Sequence, residues 1–274
     1  NLYFSIMNRL DEQYRGLLGE VLYNGVEKED RTGTGTYSRF GLQIKHQMSD
    51  GFPILTTKKI PINTVATELK WFLKGDTNIK YLQDNNCHIW DGDYNKSGRT
   101  DGSLGPIYGY QWRKHSRYGV QYDQIKDLIQ NIKSNPSSRR LIVNSWNIEM
   151  LDRMTLPPCH YSFQCYVAGN KLSLLWNQRS ADLFLGVPFN ISSYGLLLKL
   201  LCIETGYEPG QLVGNFGDIH LYKNHIEQAK EQISRESYEL PELEITNINI
   251  LKGEFDFYLV DYESHPPIKA PLSN

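Results

Sequence analysis

The sequence predicts an α+β fold, and three observations favour this class over a doubly wound parallel sheet. Helical and extended patterns mix along the chain without a regular strand–helix–strand alternation. Residues 160–178 predict two strands joined by a short turn, and residues 191–204 are apolar almost throughout, which predicts a buried central helix. Because no linker or repeat divides the chain, we expect residues 7–274 to form a single domain.

The first half of the chain predicts three helices and one extended region. Residues 7–24 repeat apolar side chains at helical spacing, and Gly25 follows as a stop signal. Residues 62–73 and residues 122–132 repeat the same helical pattern. Residues 31–48 begin with a Gly/Thr-rich run and then mix polar with apolar side chains, which predicts a turn followed by strands.

The second half predicts strands on both sides of the buried helix and one further helix. Strands are predicted at residues 160–168, 171–178, 243–251 and 255–260. Gly169-Asn170 is the expected turn between the first two strands. Residues 220–235 have a polar, amphipathic pattern, which predicts a helix that His220 and its neighbours begin.

The composition is that of an ordinary globular protein with nearly balanced charge. The 274 residues are 40% hydrophobic, and 29 Lys+Arg against 31 Asp+Glu give a net charge of −2. A protein that binds nucleic-acid polymers usually carries a basic excess, so we expect no nucleic acid as the main ligand. A small anionic ligand needs only a few local arginines. No apolar run reaches transmembrane length, so we expect no membrane partner.

The cysteines and histidines indicate neither disulfides nor a metal. The chain has 4 cysteines with no CxxC and no framework spacing, so we expect reduced thiols and a cytoplasmic location. Its 7 histidines show no HxxxH or HExxH pattern, so we expect no metal. Residues 1–6 look like the remnant of a cleavable tag, with Met7 as the native start.

Cys159 is the candidate nucleophile, in the run Leu156-Pro157-Pro158-Cys159-His160. Two prolines give the thiol a stiff setting, and neighbouring cations lower the pKa of a thiol. His160 is adjacent in sequence, and we expect Arg179, from the polar run 177–182, to be adjacent in space. The alternative is a buried core cysteine, which is common for this residue type.

Three arginine-bearing segments predict anion binding. Residues 30–36 form a Gly/Thr-rich loop headed by Arg31 that suits phosphate oxygens, although it lacks the P-loop spacing. Arg139 and Arg140 precede an apolar strand, so both meet one phosphate only at a strand end or across a subunit contact. Arg179-Ser180 forms a further pair. The alternatives are a plain hairpin turn and a solvated charge pair.

Two further positions predict recognition of a base and a sugar. Asn190 offers a donor and an acceptor, the pattern that reads an imide edge such as that of uracil, whereas an aspartate would suit cytosine. The alternative is a helix N-cap. His220 and Tyr222 lie two residues apart, on different faces of a regular helix, so they converge only in an irregular first turn.

Glu68 is the candidate general acid. It lies inside the apolar helix over residues 62–73, next to Leu69 and close to Trp71. Burial raises the pKa of a carboxyl group and suits it to proton transfer at neutral pH. The alternative is a partly exposed helix glutamate. Trp90 and Tyr108 add aromatic surface for a planar ligand, with core packing as the alternative.

Taken together, these motifs resemble the thymidylate synthase family, whose members methylate dUMP with a folate. The resemblance runs in order through nearly the whole chain after residue 6. The matching runs are residues 31–36, 52–59, 68–75, 104–109, 138–140, 156–160, 178–182, 188–191, 217–222 and 265–269. Three positions depart from common family residues: Asp93 in place of a second tryptophan, Asn177 in place of a tyrosine, and the terminal Asn274.

The resemblance implies a fold and a set of residue roles. The fold is a mixed β-sheet packed with helices, in a homodimer that meets sheet to sheet, with Arg139 and Arg140 donated to the partner site. The implied catalytic residues are Cys159, Glu68, Tyr108 and Asp218. The implied dUMP contacts are Arg31, Arg139, Arg140, His160, Gln178, Arg179, Ser180, Asp182, Asn190, His220 and Tyr222. The implied folate contacts are Lys58, Ile89, Trp90, Asp182, Leu185, Gly186 and Phe189.

The resemblance also implies a reaction. Cys159 would add to C6 of dUMP, and 5,10-methylenetetrahydrofolate, a consumed cosubstrate, would supply a carbon unit and a hydride, giving dTMP and dihydrofolate. Residues 268–274 would close over the bound pair. The alternative is a dUMP hydroxymethylase, in which water replaces the hydride. A third interpretation, from another class, is a silent nucleotide-binding or RNA-binding relative, against which both Cys159 and Glu68 argue.

Overall fold

The computed structural model describes residues 8–30 and 32–273. Its α-helices are α1 (Arg9–Asn24), α2 (Ile62–Leu73), α3 (Ile79–Asp84), α4 (Asp91–Ser97), α5 (Tyr108–Lys114), α6 (Gln124–Ser134), α7 (Gly186–Thr205) and α8 (Ile226–Ser234). Its strands are β1 (Val26–Lys28), β2 (Thr36–Gln47), β3 (His115–Arg117), β4 (Val120–Tyr122), β5 (Ile142–Asn144), β6 (His160–Ala168), β7 (Lys171–Asp182), β8 (Glu208–Tyr222), β9 (Glu242–Asn249) and β10 (Glu254–Val260). The expected tag remnant and Met7 lie outside the described residues.

The main sheet has six strands in the order β1-β2-β8-β7-β6-β5. Neighbouring strands are antiparallel except β7 and β8, which are parallel. A parallel pair needs a crossover connection, and α7 supplies it. The sheet is therefore mixed and packs with helices, and the predicted α+β class is confirmed.

Helix α7 lies at the centre of the fold, as its composition predicts, although it begins five residues earlier than the predicted residue 191. Its leucines are enclosed on all sides, and Leu196, Leu198 and Leu201 are each 0% exposed. By length and hydropathy this helix would suffice to cross a membrane, which the sequence pattern did not lead us to expect. Because 78% of its most apolar window is buried inside the protein, the helix has the surroundings of a core helix.

The periodic pattern of apolar residues correctly predicted most of the other elements. Helix α2 has the predicted bounds of 62–73, and β6 has the predicted bounds of 160–168. The predicted extended region over residues 31–48 contains strand β2, and α6, which Asp123 caps, begins at Gln124, two residues after the predicted start of that helix. The short helices α3 to α5 were not predicted, because segments of six or seven residues show too little of a repeat.

The predicted helix over residues 220–235 is wrong in its first part. His220 and Tyr222 belong to β8, and α8 covers only Ile226–Ser234. The reason is tertiary, since β8 is paired along both edges, with β2 on one side and β7 on the other. Ile219 and Leu221 are both 0% exposed, which is the alternation of a strand.

A row of polar side chains crosses four strands on the sheet face opposite the core. Gln43 donates to Asn215, Asn215 donates to Asn177 at 3.1 Å, and Asn177 donates to the hydroxyl of Ser162 at 3.1 Å. Asn177 alternates with the buried Trp176 and Gln178, so its side chain points away from the core. An amide at position 177 therefore joins neighbouring strands through side-chain hydrogen bonds.

Candidate active site

Cys159 immediately precedes β6 and is held through both of its backbone polar groups. Its N–H donates to the hydroxyl of Tyr108 at 2.8 Å. Its carbonyl oxygen accepts from the backbone N–H of Arg179 at 2.8 Å. The residue is half-buried, so the thiol-bearing position is held by two elements and remains accessible. All four cysteines of the chain are thiols rather than disulfides.

Arg179 lies beside Cys159, as the sequence predicts. Its Nε–H donates to the carbonyl of Pro158 at 2.9 Å, and its Nη2 donates to the carbonyl of Pro157 at 2.8 Å. The guanidinium also lies 5.5 Å from the ring centre of Trp146. Two of its five donors therefore hold the proline run in place, while the exposed side of the group is available to an anion.

His160 is not the cation that its position beside Cys159 suggested. Burial lowers the pKa of His160 to about 3, so the imidazole is neutral at physiological pH. The ring stacks on Tyr108 with centroids 4.3 Å apart, and its Nδ1 lies 2.7 Å from the hydroxyl of Tyr194. Tyr194 was not singled out from the sequence, because an aromatic residue in an apolar helix gives no sign of its partner.

Glu68 is buried in α2, and its environment matches the sequence prediction. The indole N–H of Trp90 donates to Glu68 Oε1 at 2.7 Å. Burial raises the pKa of Glu68 to about 7, and the hydrogen bond from Trp90 opposes that rise. A carboxyl group with a pKa near neutrality both donates and accepts a proton without a large energetic cost.

Tyr108 interacts with both Cys159 and Glu68. Burial raises the pKa of Tyr108 well above its usual value, and the nearby charges of Cys159 and Glu68 act in the same direction. Its ring lies 4.9 Å from that of Phe72. This close approach depends on Gly109, since a Cβ there would lie 2.7 Å from the carbonyl oxygen of Phe72. The glycine thus lets α5 approach α2 and places the phenol beside both groups.

Gln178 and Asn190 form a joint polar edge. Gln178 Nε2 donates to Asn190 Oδ1 at 3.1 Å and to the carbonyl of Ser180 at 3.1 Å. Helix α7 begins at Gly186, so Asn190 lies inside the helix and is not its N-cap. With Oδ1 held by Gln178, the orientation of the Asn190 amide is set, and its N–H groups remain as donors.

Asp182 organises the turn that leads into α7. Its Oδ1 accepts from the backbone N–H groups of Phe184 at 3.1 Å and Leu185 at 3.2 Å. Gly186 lies between Asp182 and Asn190, since a Cβ there would be 3.5 Å from the first and 3.9 Å from the second. The expected folate contacts Leu185, Gly186 and Phe189 are therefore brought together at one helix start, beside the polar edge.

Lys58 is turned inward. Its Nζ donates to the carbonyl of Phe184 at 2.5 Å and lies 3.5 Å from the centre of the Phe184 ring. Burial lowers the pKa of Lys58 to about 7, against the opposing charge of Asp182. An amine in this position supports the turn before α7, and contact with a folate tail would require it to leave Phe184. Ile89, by contrast, is 39% exposed beside Trp90.

Asp218, His220 and Tyr222 lie on one face of β8. Residues two apart in a strand share a face, and the rings of His220 and Tyr222 are 5.3 Å apart, so no irregular helix turn is needed. Asp218 contacts His220 Nδ1 at 3.2 Å and accepts from Lys28 at 2.6 Å and Ser38 at 2.7 Å. These hydrogen bonds, of which the one with His220 has the largest effect, hold the pKa of Asp218 well below its usual range. Asp218 is therefore an ionised anchor at neutral pH.

Arg139 and Arg140 lie just before β5, and both are exposed. Among the described residues, neither guanidinium makes a hydrogen bond or an ion pair. Leu141 O accepts from the N–H of Cys165, and β5 runs antiparallel to β6. The arginines therefore lie near the far end of β6, about 20 Å along the strand from Cys159 of the same chain.

The loop at residues 30–36 is organised by Asp30. Its carboxylate accepts from the backbone N–H of Thr32 at 2.9 Å and of Gly35 at 2.7 Å, which occupies donors that the sequence suggested for phosphate. Arg31 lies outside the described residues, as does Asn274. In the part of the chain that the structure describes, no group of three or more His, Cys, Asp and Glu side chains is placed to hold a metal ion.

The end of the chain, after β10, contacts the residues that precede helix α8. His225 Nε2 lies 2.6 Å from the carbonyl of Pro271, and Asn224 donates to the hydroxyl of Ser273 at 3.2 Å. Tyr222 lies close by, with its ring 5.7 Å from that of His225. The terminal segment is therefore docked next to the His220 and Tyr222 face of the site.

Comparison with known protein families gives one finding. The sequence model of the family described as thymidylate synthase matches residues 12–274. The match extends over nearly all of the chain. It includes all of the site residues described above, the first of which in the sequence is Lys28.

Proposed function

The chain belongs to the thymidylate synthase family and is a methyltransferase of that family, and from this premise we propose that it converts dUMP to dTMP. The carbon unit and the hydride come from 5,10-methylenetetrahydrofolate, which leaves as dihydrofolate. One observation carries the proposal. Tyr108 accepts a hydrogen bond from the backbone of the accessible Cys159 and lies within electrostatic range of the buried Glu68, whose pKa is about 7.

Cys159 is the proposed nucleophile. Its addition to C6 of the uracil ring makes C5 nucleophilic toward the one-carbon unit. Two contacts support this role, the bond from its N–H to Tyr108 and the bond to its carbonyl from Arg179. A backbone held at both ends keeps the sulfur in position while the covalent bond forms and breaks.

Glu68 is the proposed proton carrier. With a pKa of about 7 it exchanges a proton near neutral pH, and the Trp90 indole directs one of its oxygens. Tyr108 assists because it interacts with both Glu68 and Cys159. Asp218, which is ionised and held by Lys28 and Ser38, serves to orient His220 rather than to donate a proton.

The nucleotide is proposed to bind across β7, β8 and the start of α7. Asn190 reads the imide edge with its amide held by Gln178. His220 and Tyr222 meet the deoxyribose from β8. Arg179 and Ser180 bind the 5′-phosphate, together with Arg31 from the Gly/Thr-rich loop.

We propose a homodimer that completes the phosphate site. Arg139 and Arg140 are exposed and lie about 20 Å along β6 from Cys159 of their own chain. Across a sheet-to-sheet contact they would reach the partner's phosphate site. Pairing through the sheet face would also cover the polar row that Asn177 belongs to.

Hydride transfer rather than hydration is favoured by the wall around Glu68. Trp90 lies 6.0 Å from Trp71 and 5.9 Å from Tyr108, measured between ring centroids. Such a wall excludes water from a reactive methylene group.

The proposed folate contacts are Trp90, Ile89, Leu185 and Phe189, and the docked terminal segment is the proposed lid. The reduced thiols support a cytoplasmic location as part of the same proposal.

The test is the mass of the nucleotide product after the protein is incubated with dUMP and 5,10-methylenetetrahydrofolate. We expect dTMP with dihydrofolate. Hydroxymethyl-dUMP with tetrahydrofolate would move the protein to the hydroxymethylases, and bound dUMP without product would indicate a silent relative.

A second experiment tests the nucleophile. Cys159→Ala should bind dUMP without turnover. Cys202→Ala is the matched control, since burial raises the pKa of that thiol and leaves it unreactive.

A further inference from the structure

His160 and Tyr194 form a buried pair behind the site. The ring Nδ1 and the phenol oxygen are 2.7 Å apart, and the two residues are 9% and 3% exposed. Tyr194 belongs to α7, and its ring stacks on Trp176 with centroids 5.1 Å apart and planes 6° apart. The tyrosine is thus fixed by the core, independently of any ligand.

The direction of this hydrogen bond follows from the partners of each group. Burial raises the pKa of Tyr194, so its hydroxyl keeps its hydrogen. Among the described residues, His160 is the only hydrogen-bond partner of that hydroxyl. If the imidazole donated instead, the phenolic hydrogen would be buried without an acceptor, which costs about 1–3 kcal/mol. The hydroxyl therefore donates to Nδ1.

A neutral imidazole carries one hydrogen, so a hydrogen bond accepted at Nδ1 places that hydrogen on Nε2. Nε2 makes no hydrogen bond within the described chain and is not among its buried polar atoms that lack a partner. It therefore reaches accessible space on the side of the ring away from Tyr194.

We propose that Tyr194 is a positioning residue that holds His160 as the Nε2–H tautomer, so that a neutral imidazole N–H donor faces the accessible space next to Cys159. The group that this donor suits is an acceptor oxygen, either a carbonyl of the substrate base or an ordered water. The role of this donor toward the substrate rests on the proposed function, whereas the tautomer of His160 does not depend on it.

The same tyrosine also acts on Cys159 through two further contacts. The face of His160 stacks on Tyr108 at 4.3 Å, and the Tyr108 hydroxyl accepts from the Cys159 N–H at 2.8 Å. A loosened imidazole would therefore disturb both the donor and the support of the nucleophile. Tyr194 does not need to touch the substrate for its loss to reduce the rate.

The test is nitrogen NMR of the full-length protein labelled with ¹⁵N-histidine, compared with Tyr194→Phe. In the native protein we expect a pyrrole-like Nε2 and a pyridine-like Nδ1 for His160. Tyr194→Phe keeps the ring stacked on Trp176 but removes the donor, so the two nitrogens should move toward an average of both tautomers. We expect kcat to fall about tenfold with the KM for dUMP changed less than about threefold, the size of one lost buried hydrogen bond.

Tyr14→Phe is the matched control. Tyr14 is 0% exposed, and its hydroxyl donates to the carbonyl of Leu183 at 2.8 Å without contacting His160. It should lose stability as Tyr194→Phe does and leave the His160 nitrogens unchanged.

A native His160 with a pyrrole-like Nδ1, or a Tyr194→Phe protein with an unchanged His160 spectrum, would overturn the proposal. If Tyr194→Phe does not fold, the native spectrum decides alone. If the protein gives the expected spectrum but makes no dTMP, the assignment of the tautomer stands and the proposed function is wrong.

Discussion

The backbone N–H of Cys159 donates to the hydroxyl of Tyr108 at 2.8 Å, so the candidate nucleophile is joined directly to the first residue of α5. The phenol oxygen acts here as an acceptor, and burial keeps its own hydrogen in place. One side chain therefore supports the backbone at Cys159 while its ring supports His160. Removing the hydroxyl separates these two roles.

Tyr108→Phe is expected to lower kcat by about tenfold or more, because the Cys159 N–H loses its acceptor while the ring stack on His160 remains. Steady-state kinetics and a thermal melt measure the two effects. Tyr94→Phe is the control, since the Tyr94 hydroxyl accepts the backbone N–H of Gly102, also at 2.8 Å, away from the site. Equal loss of kcat in both variants would show a general stability effect instead.

Glu68→Gln is expected to become more stable than the native protein as the pH rises. The pKa of Glu68 is about 7 when folded against 4.5 for an ordinary glutamate, so the unfolded chain releases its proton first. Native stability therefore falls as pH rises from 4.5 through about 7, whereas the substituted glutamine side chain has no charge to bury. The advantage of the variant should grow by about 2 kcal/mol between about pH 5 and pH 8.

Urea unfolding at several pH values measures this difference. Glu12→Gln, on the exposed side of α1, is the control, and an equal slope in that variant would assign the effect to the Glu-to-Gln change itself rather than to the site of Glu68. If the difference in unfolding free energy between Glu68→Gln and the native protein does not change with pH, the Glu68 carboxyl group is not held in an environment that disfavours its charge.

Arg139→Ala is expected to weaken dUMP binding about tenfold, the cost of one charge-assisted hydrogen bond. The proposed donor is the partner chain, so mixed dimers provide the decisive measurement. A dimer of one Arg139→Ala chain and one Cys159→Ala chain would contain one intact site and recover about half of the native activity. If each arginine served its own chain, no such recovery would occur.

Asn190→Asp is expected to shift selectivity from dUMP toward dCMP by at least about tenfold in the ratio of kcat/KM values. A carboxylate keeps the acceptor that Gln178 binds and removes the donors that face an imide. Competition between the two nucleotides measures the ratio. Asn131→Asp adds the same charge on the exposed face of α6 and should leave the ratio unchanged. An unaltered ratio in Asn190→Asp would mean that the base is read elsewhere.

The sequence by itself determined the fold class, the family and the strongest elements. Helix α2 and strand β6 have their predicted bounds, because long local repeats are read without knowledge of distant neighbours. The burial of Glu68 followed from the apolar residues of its own helix, and its raised pKa followed from that burial. The proximity of Arg179 to Cys159 was predicted as well, from two motifs close together along the chain.

Only the tertiary structure decided which neighbours those residues have. The segment that contains His220 and Tyr222 is a strand because β2 and β7 pair with it, and both partners are distant in sequence. His160 is neutral because residues from α5 and α7 enclose it, which its place beside Cys159 did not reveal. The distance of Arg139 from its own Cys159 depends on the register of β5 on β6. In each case the deciding energy, desolvation or pairing between strands, arises between segments that the linear pattern does not connect.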